Sequence, residues 1–263
     1  MKTSSEMSDA SAVIEHFDRL SKSGDWSRLY AVSDGHNYHF QVRRARVLEL
    51  LPERLGRVLD VGMGPGVLAE AVVARGGTFE GVDLSPEMVL EAREKYGRLP
   101  GASFREGNVE AIDAPDSTYD QVIAVAVVEY LKTPDRALTE IARVLKPGGL
   151  AVVTVPKPWH VDRLAIGATA PLRAVARMFG VAGADKLPRL RLMPGELDEA
   201  AARAGLKFEA GAQYHFTPVP YPLTRVAPGL AMRLNAPFER LSATRAALPS
   251  FLAHGYIGLY RKA

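Results

Sequence analysis

The chain has 263 residues, 47% of them hydrophobic, which suits one sizeable α/β domain with room for an insertion. It contains no cysteine, which excludes disulfides, thiolate metal sites and a catalytic thiol, and fits a reducing cytoplasm. A formal net charge of +3 is too small to argue for nucleic acid, although between Lys157 and Arg191 seven basic residues (Lys157, Arg163, Arg173, Arg177, Lys186, Arg189, Arg191) face two acids (Asp162, Asp185).

The first residues, "MKTSSEMSDASAVIEHF", carry acids and lack an apolar core, so no secretory signal is expected. No stretch approaches the roughly 18 uninterrupted apolar residues of a spanning helix. Helical spacing runs over 11–22 and 39–54, flanking "SDGHNYHFQ", a polar and aromatic segment suited to folding over a ligand. Within it His36 and His39 have the i, i+3 spacing of a metal pair, but no third ligand is recognisable and no metal is expected.

From residue 57 the signals alternate. "RVLDVG" reads as a buried parallel strand, "VLAEAVVARGG" as a helix with a Gly-Gly stop, and "TFEGVDL" as a second strand. "SPEMVLEAREKYG" follows as a helix with Ser85 at the N-cap and Pro86 in the first turn, then "ASFREG" as a third strand. "YDQVIAVAVVEYL" reads as the fourth strand, "TPDRALTEIARVLKPGG" as a helix ending in a Pro-Gly-Gly turn, and "LAVVTVP" as the fifth strand. Such alternation implies a doubly wound, mostly parallel sheet covered on both faces. The stretch from about 157 to 193 has helical spacing broken by Pro171, Gly180, Gly183 and Pro188, and is too long for a simple connection; a helical lid is expected there. "MPGELDEAAARAGL" then reads as a helix, "KFEAGAQYHFTP" as a strand, 217–249 as a proline-punctuated, partly helical stretch, and "HGYIGLYRK" as the last of seven strands.

Open α/β sheets bind ligands at the carboxyl ends of their strands, where the strand order reverses. "VLDVGMGPGVLAEAV", residues 58–72, lies at such an end and carries Gly62, Gly64 and Gly66 at alternate positions. Glycines there let the backbone approach a ligand with no Cβ in the way. The dinucleotide fingerprint G-x-G-x-x-G fails, because Val67 stands where its third glycine or alanine belongs. Pro65 removes a backbone donor that a pyrophosphate would need, and Asp60 adds a carboxylate, so a cationic ligand without phosphate suits the loop better.

These residues resemble the class I S-adenosylmethionine-dependent methyltransferases. The resemblance rests on "VLDVGMGPG", "GVDLSPEMV", "REGNVEAI" and "EIARVLKPGGLAVVTVP", four motifs in family order over roughly 56–156. It implies that S-adenosylmethionine is bound and S-adenosylhomocysteine released, with residues 1–55 as a helical cap over the cofactor and 56–263 as the core. Gly62, Gly64 and Gly66 would lie against the methionine part and Asp60 would order its polar end. Asp83, about 20 residues past the loop, would hold both ribose hydroxyls. Leu84 and Met88 would flank the adenine, Val109 would pack on it, and Asn108 would receive its amino group where many relatives have an aspartate. Val125 and Ala126 would touch the cofactor from strand four, and Tyr38 would help close the site.

The resemblance leaves the acceptor open. A hydroxyl acceptor profits from a base, and His215, His160 and Tyr130 are the candidates, with Glu129 a comparable one. The basic stretch "PLRAVARMFG" to "LPRLRLMPG" fits a lid over an apolar small molecule bearing an acidic group, peripheral contact with an anionic membrane, or a solvated face. No nucleic-acid module is recognisable. The resulting expectation is methyl transfer to a small organic acceptor, with O-methylation ahead of C- or N-methylation of a lipid or isoprenoid. A catalytically silent S-adenosylmethionine-binding accessory protein is the alternative.

Overall fold

A computed structural model describes residues 10–22, 38–161, 167, 187–216, 228–243 and 250–263. Helices α1 (Ala10–Lys22) and α2 (Tyr38–Leu50) precede β1 (Arg57–Val61), α3 (Ala69–Ala74), β2 (Thr78–Asp83), α4 (Pro86–Tyr96), β3 (Ala102–Glu106) and β4 (Tyr119–Ala124). After them come α5 (Asp135–Val144), β5 (Leu145–Pro156), α6 (Pro194–Arg203), β6 (Leu206–Phe216), α7 (Pro228–Ala243) and β7 (Ala253–Lys262). The seven strands form one sheet in the order β3-β2-β1-β4-β5-β7-β6, parallel except for β7, which runs antiparallel to both β5 and β6. The strand order reverses between β1 and β4, which opens a crevice at their carboxyl ends.

The sequence explains most of these elements locally. Every residue of β1 after Arg57 is buried, as a strand covered on both faces requires. The Ser85 hydroxyl accepts from the Met88 amide at 3.1 Å and caps α4, with Pro86 in the first turn. Helix α5 turns Ala137, Leu138, Ile141 and Val144 to the sheet. On that face they join Leu59, Val122, Val153 and Leu197; on the other, Val47, Val72, Val89 and Ile257 form the second core layer. Removing one well-packed side chain from such a layer leaves a cavity.

Several boundaries differ from expectation. The apolar run that reads as one long fourth strand leaves the sheet after Ala124. Ala126 adopts a left-handed backbone (φ 57°) and donates its amide to Thr154 Oγ1 at 2.8 Å, and Val128–Tyr130 form a 3₁₀ turn. Val128, Glu129 and Tyr130 stay buried in that turn, so burial keeps the run apolar where strand pairing does not. Helix α2 stops at Leu50 because Pro52 disfavours helical backbone before it, and α3 begins only at Ala69 because the loop glycines take the preceding turn. Most of the expected lid, 162–166 and 168–186, lies outside the described residues, as do Tyr30, His36 and residues 217–227 and 244–249. The returning limb, 187–193, carries no helix. Truncating fully buried Leu138 to alanine should lower the unfolding free energy by about 2–5 kcal/mol, read from denaturant melts.

Candidate active site

The loop after β1 is held in shape by β2. Gly62, Gly64 and Gly66 all have positive φ (67°, 55° and 74°), a backbone that side chains resist. The amides of Gly62 and Met63 donate to the Val82 carbonyl at 2.7 and 3.1 Å. The Gly64 amide donates to Asp83 Oδ2 at 2.9 Å, while Oδ1 of the same carboxylate accepts from the Ser85 amide at 2.9 Å. Loop and strand end therefore form one hydrogen-bonded unit.

That unit forms part of a cavity of about 670 Å³ at the reversal of strand order. Its wall includes Asp60, Gly62, Gly64, Asp83, Leu84, Met88, Asn108, Val109, Val125, Ala126 and Tyr130. Gly66 is not on this wall. A Cβ there would stand 3.1–3.3 Å from Phe104, Ala92 and Tyr96, so Gly66 serves the close packing of the loop on α4 and β3, not ligand contact. Asn108 Oδ1 already accepts from the Glu110 amide at 2.9 Å, which leaves one lone pair for a ligand. Tyr38 begins α2, and its side chain lies outside the described residues.

The electrostatics of the wall are uneven. Burial raises the Asp60 carboxyl well above the usual range, with Asp83 adding repulsion. Burial also raises Asp83, against the amides of Ser85, Gly64 and Leu84, which favour its charged form, and Asp18 raises it further. Asp18 stands on α1 and accepts from the Ser85 hydroxyl. Two carboxylates, Asp60 and Asp83, thus meet on the cavity wall, with Asp18 adding to the repulsion on Asp83, and a cationic ligand rich in hydroxyl donors would relieve it.

Sequence reasoning missed the opposite wall. Ala10, Val13 and Phe17 of α1 line the cavity, as do Phe40, Arg43, Arg44 and Val47 of α2. Both sets have helical spacing (i, i+3, i+7 and i, i+3, i+4, i+7), so each is one helix face. The first stripe was legible as an apolar pattern; the two arginines disguised the second. Arg44 Nε donates to the Val67 carbonyl at 3.2 Å, which brings a guanidinium to the glycine loop. Arg43 is buried, its guanidinium 5.3 Å from the centre of the Phe40 ring.

The acceptor candidates separate. Tyr130 is on the cavity wall, its ring edge-on to Phe17 at 5.2 Å and 5.3 Å from the Arg189 guanidinium. Glu129 turns away from the cavity: it is buried, pairs with Arg189 at 3.3 Å, and accepts the Leu190 amide on its carbonyl at 2.6 Å. His215 and His160 are not on the wall. They stack in a group of imidazoles that reaches the cavity through His39 and Phe40. Among the described residues no group of three His, Asp or Glu could hold a metal ion, and no helix is long and apolar enough to cross a membrane.

Residues 59–153, the segment that builds this cavity's floor, match a methyltransferase domain family. The chain is 31% identical over 187 residues to a ubiquinone biosynthesis O-methyltransferase of Rhizobium johnstonii, a match covering 70% of this chain and 71% of that protein. It is 36% identical over 113 residues to a phosphatidylethanolamine N-methyltransferase of Cereibacter sphaeroides, covering 42% of this chain and 55% of that one. The chain thus spans about half the length of the first curated relatives it matches. In three dimensions it resembles magnesium protoporphyrin IX methyltransferase from Synechocystis PCC 6803, solved with bound S-adenosylhomocysteine (TM-score 0.62, 15% identity, 97% of this chain and 100% of that chain). Since the similarity runs through more than two thirds of a relative and the family match falls on the strands that carry the glycine loop and Asp83, the chain belongs to the class I S-adenosylmethionine-dependent methyltransferases, whose cofactor is S-adenosylmethionine.

Proposed function

We propose that the protein transfers the methyl group of S-adenosylmethionine to a small organic acceptor, most readily to oxygen. The observation that carries this reading is the Asp83 carboxylate, tied to the Gly64 amide on the wall of a cavity of about 670 Å³. The wall fits the cofactor: bare backbone at Gly62 and Gly64 for the methionine portion, Asp60 for its ammonium, and Asp83 for the ribose hydroxyls. Leu84, Met88 and Val109 face the adenine, Asn108 offers its remaining lone pair, and Val125 closes the floor. Arg44 complements the cofactor carboxylate.

Bound S-adenosylmethionine supplies an activated methyl group, so the protein's task is to align an acceptor and exclude water. Phe17 and Phe40 line the cavity, which supports a division into a helical cap over residues 1–55 and a core over 56–263. The insertion of about 157–193 is the acceptor lid, since its returning limb holds Arg189 against Tyr130. Tyr130 orients the acceptor from the cavity wall. His215 and His160 stand behind Phe40 and His39, and take a proton only from an acceptor that extends past them. Burial and the neighbouring imidazoles hold His215 well below the ordinary histidine pKa, so it is neutral at physiological pH and a weaker base than an exposed histidine. The apolar cap and the named N-methyltransferase relative support a second reading, N- or C-methylation of a lipid or isoprenoid acceptor.

A screen with isotope-labelled cofactor against metabolite and lipid extracts should give a labelled small molecule. S-adenosylhomocysteine binding with no label transferred to any fraction would instead leave a silent accessory protein. Asp83→Ala should weaken S-adenosylhomocysteine binding by about 1.5–3 kcal/mol in calorimetry, the range for hydrogen bonds to a charged group; unchanged affinity would remove Asp83 from the site. The raised pKa of Asp60 means that the folded, cofactor-free state holds the proton better than the unfolded chain. Its stabilising share is therefore present at acid pH and lost as pH rises through the folded-state value. Asp60→Asn should accordingly raise the neutral-pH melting temperature of the cofactor-free protein, by about 2–4 °C per kcal/mol recovered, while weakening cofactor binding.

A further inference from the structure

Four histidines from four separate parts of the chain meet in one stack. The His39 ring on α2 lies 5.1 Å from that of His215 at the end of β6, nearly parallel at 24°. The His215 ring lies 4.2 Å from that of His254 at the start of β7, and the His254 ring 3.9 Å from that of His160 just beyond β5. The main chain is built around this contact. His215 has a left-handed backbone (φ 58°), a costly conformation for a residue other than glycine, between the paired residues Tyr214 and Phe216. The Lys157 amide donates to the His254 carbonyl at 2.8 Å and straps the exit of β5 to β7.

Among the described residues Arg43 of α2 adds its positive charge to the imidazoles around His215. Lys157, at the exit of β5, donates to Gln213 of β6 at 3.1 Å, and burial pushes its ammonium down to about 8. Arg233, on α7 which packs against β6, is exposed, and the nearby carboxylate of Glu129 is engaged by Arg189. Packed imidazoles attract one another by dispersion and ring stacking; a proton added to His215 places a charge in a poorly hydrated site beside two other rings and the Arg43 guanidinium. On the same helix as His39, Phe40, Arg43, Arg44 and Val47 line the cofactor cavity.

We propose that His39, His160, His215 and His254 are positioning residues: stacked, they clasp α2 to the ends of β5, β6 and β7, and protonation of His215 within the stack releases α2 together with its wall of the cofactor cavity. The proposal rests on the reading of that cavity as the cofactor site. The depressed His215 pKa agrees in sign. The clasp holds above the unfolded-state histidine value near 6.5 and is lost as pH falls from there toward the lower folded-state value.

Two measurements on the full chain at pH 7.5 and 5.5 test this. Hydrogen exchange of α2 amides without cofactor, corrected for intrinsic rates, should lose protection at least tenfold at the lower pH. Calorimetric S-adenosylhomocysteine affinity should fall by a similar factor. His254→Phe, which keeps an aromatic ring in the middle of the stack, and His39→Phe, at its α2 end, should both reduce these losses to two- or threefold. Asp60 and Asp83 remain in both variants, so their own titration cancels in the comparison. Equal α2 protection at the two pH values in the wild type, or undiminished losses in both variants, overturns the clasp. Acid release of α2 with unchanged S-adenosylhomocysteine affinity upholds the clasp and overturns the assignment of the cavity wall to the cofactor.

Discussion

The amide of Gly64 donating to the carboxylate of Asp83 is the contact on which the rest of the site depends. It joins the loop after β1 to the end of β2, and with the Val82 carbonyl below it holds three consecutive amides of the loop against one strand end. A loop with positive φ at three glycines has many conformations in isolation; pinned at these points, it has one. The doubly wound order β3-β2-β1-β4 then places the pinned loop beside the open end of β4, and the cavity forms between them.

Buried acidity at this end makes the site incomplete on its own. Asp60, Asp83 and Asp18 lie near one another, and burial raises the carboxyl pKa of the first two. A ligand bringing positive charge and hydroxyl donors to this end would offset that cost, and a phosphate would add to it. Arg43 and Arg44 of α2 add positive charge to the same cavity, Arg44 at the glycine loop itself.

The same helix that brings the arginines starts in the histidine stack, which ties the cavity wall to the exits of β5 and β6 and the start of β7. Tyr130 is the corresponding link on the β4 side, touching α1 through Phe17 and the returning limb of the insertion through Arg189. Tyr130 and His39 thus reach their neighbours through rings and guanidinium groups, beside the apolar packing of Val47, Leu51 and Leu55 in the second core layer. Such contacts respond to charge and to hydration more steeply than aliphatic packing does.

The strand and helix order, the cap at Ser85, the glycine loop and Asp83 were legible from residues 57–156 because each depends on local chemistry: apolar runs, capping side chains, and residues that tolerate positive φ. The family's motifs lie in the same stretch for the same reason. Where burial and local pattern diverged, the sequence misled. The run after Ala124 is as apolar as a strand yet folds as a turn, and Gly66 has the spacing of a ligand-facing glycine yet packs on α4. Only the tertiary structure decided that two arginines of α2 face a cavity, that His215 and His160 stand away from it, and that four histidines distant in sequence form one stack. Local pattern specifies how a segment folds; which segments meet is set by how the whole sheet closes, and no single segment encodes that.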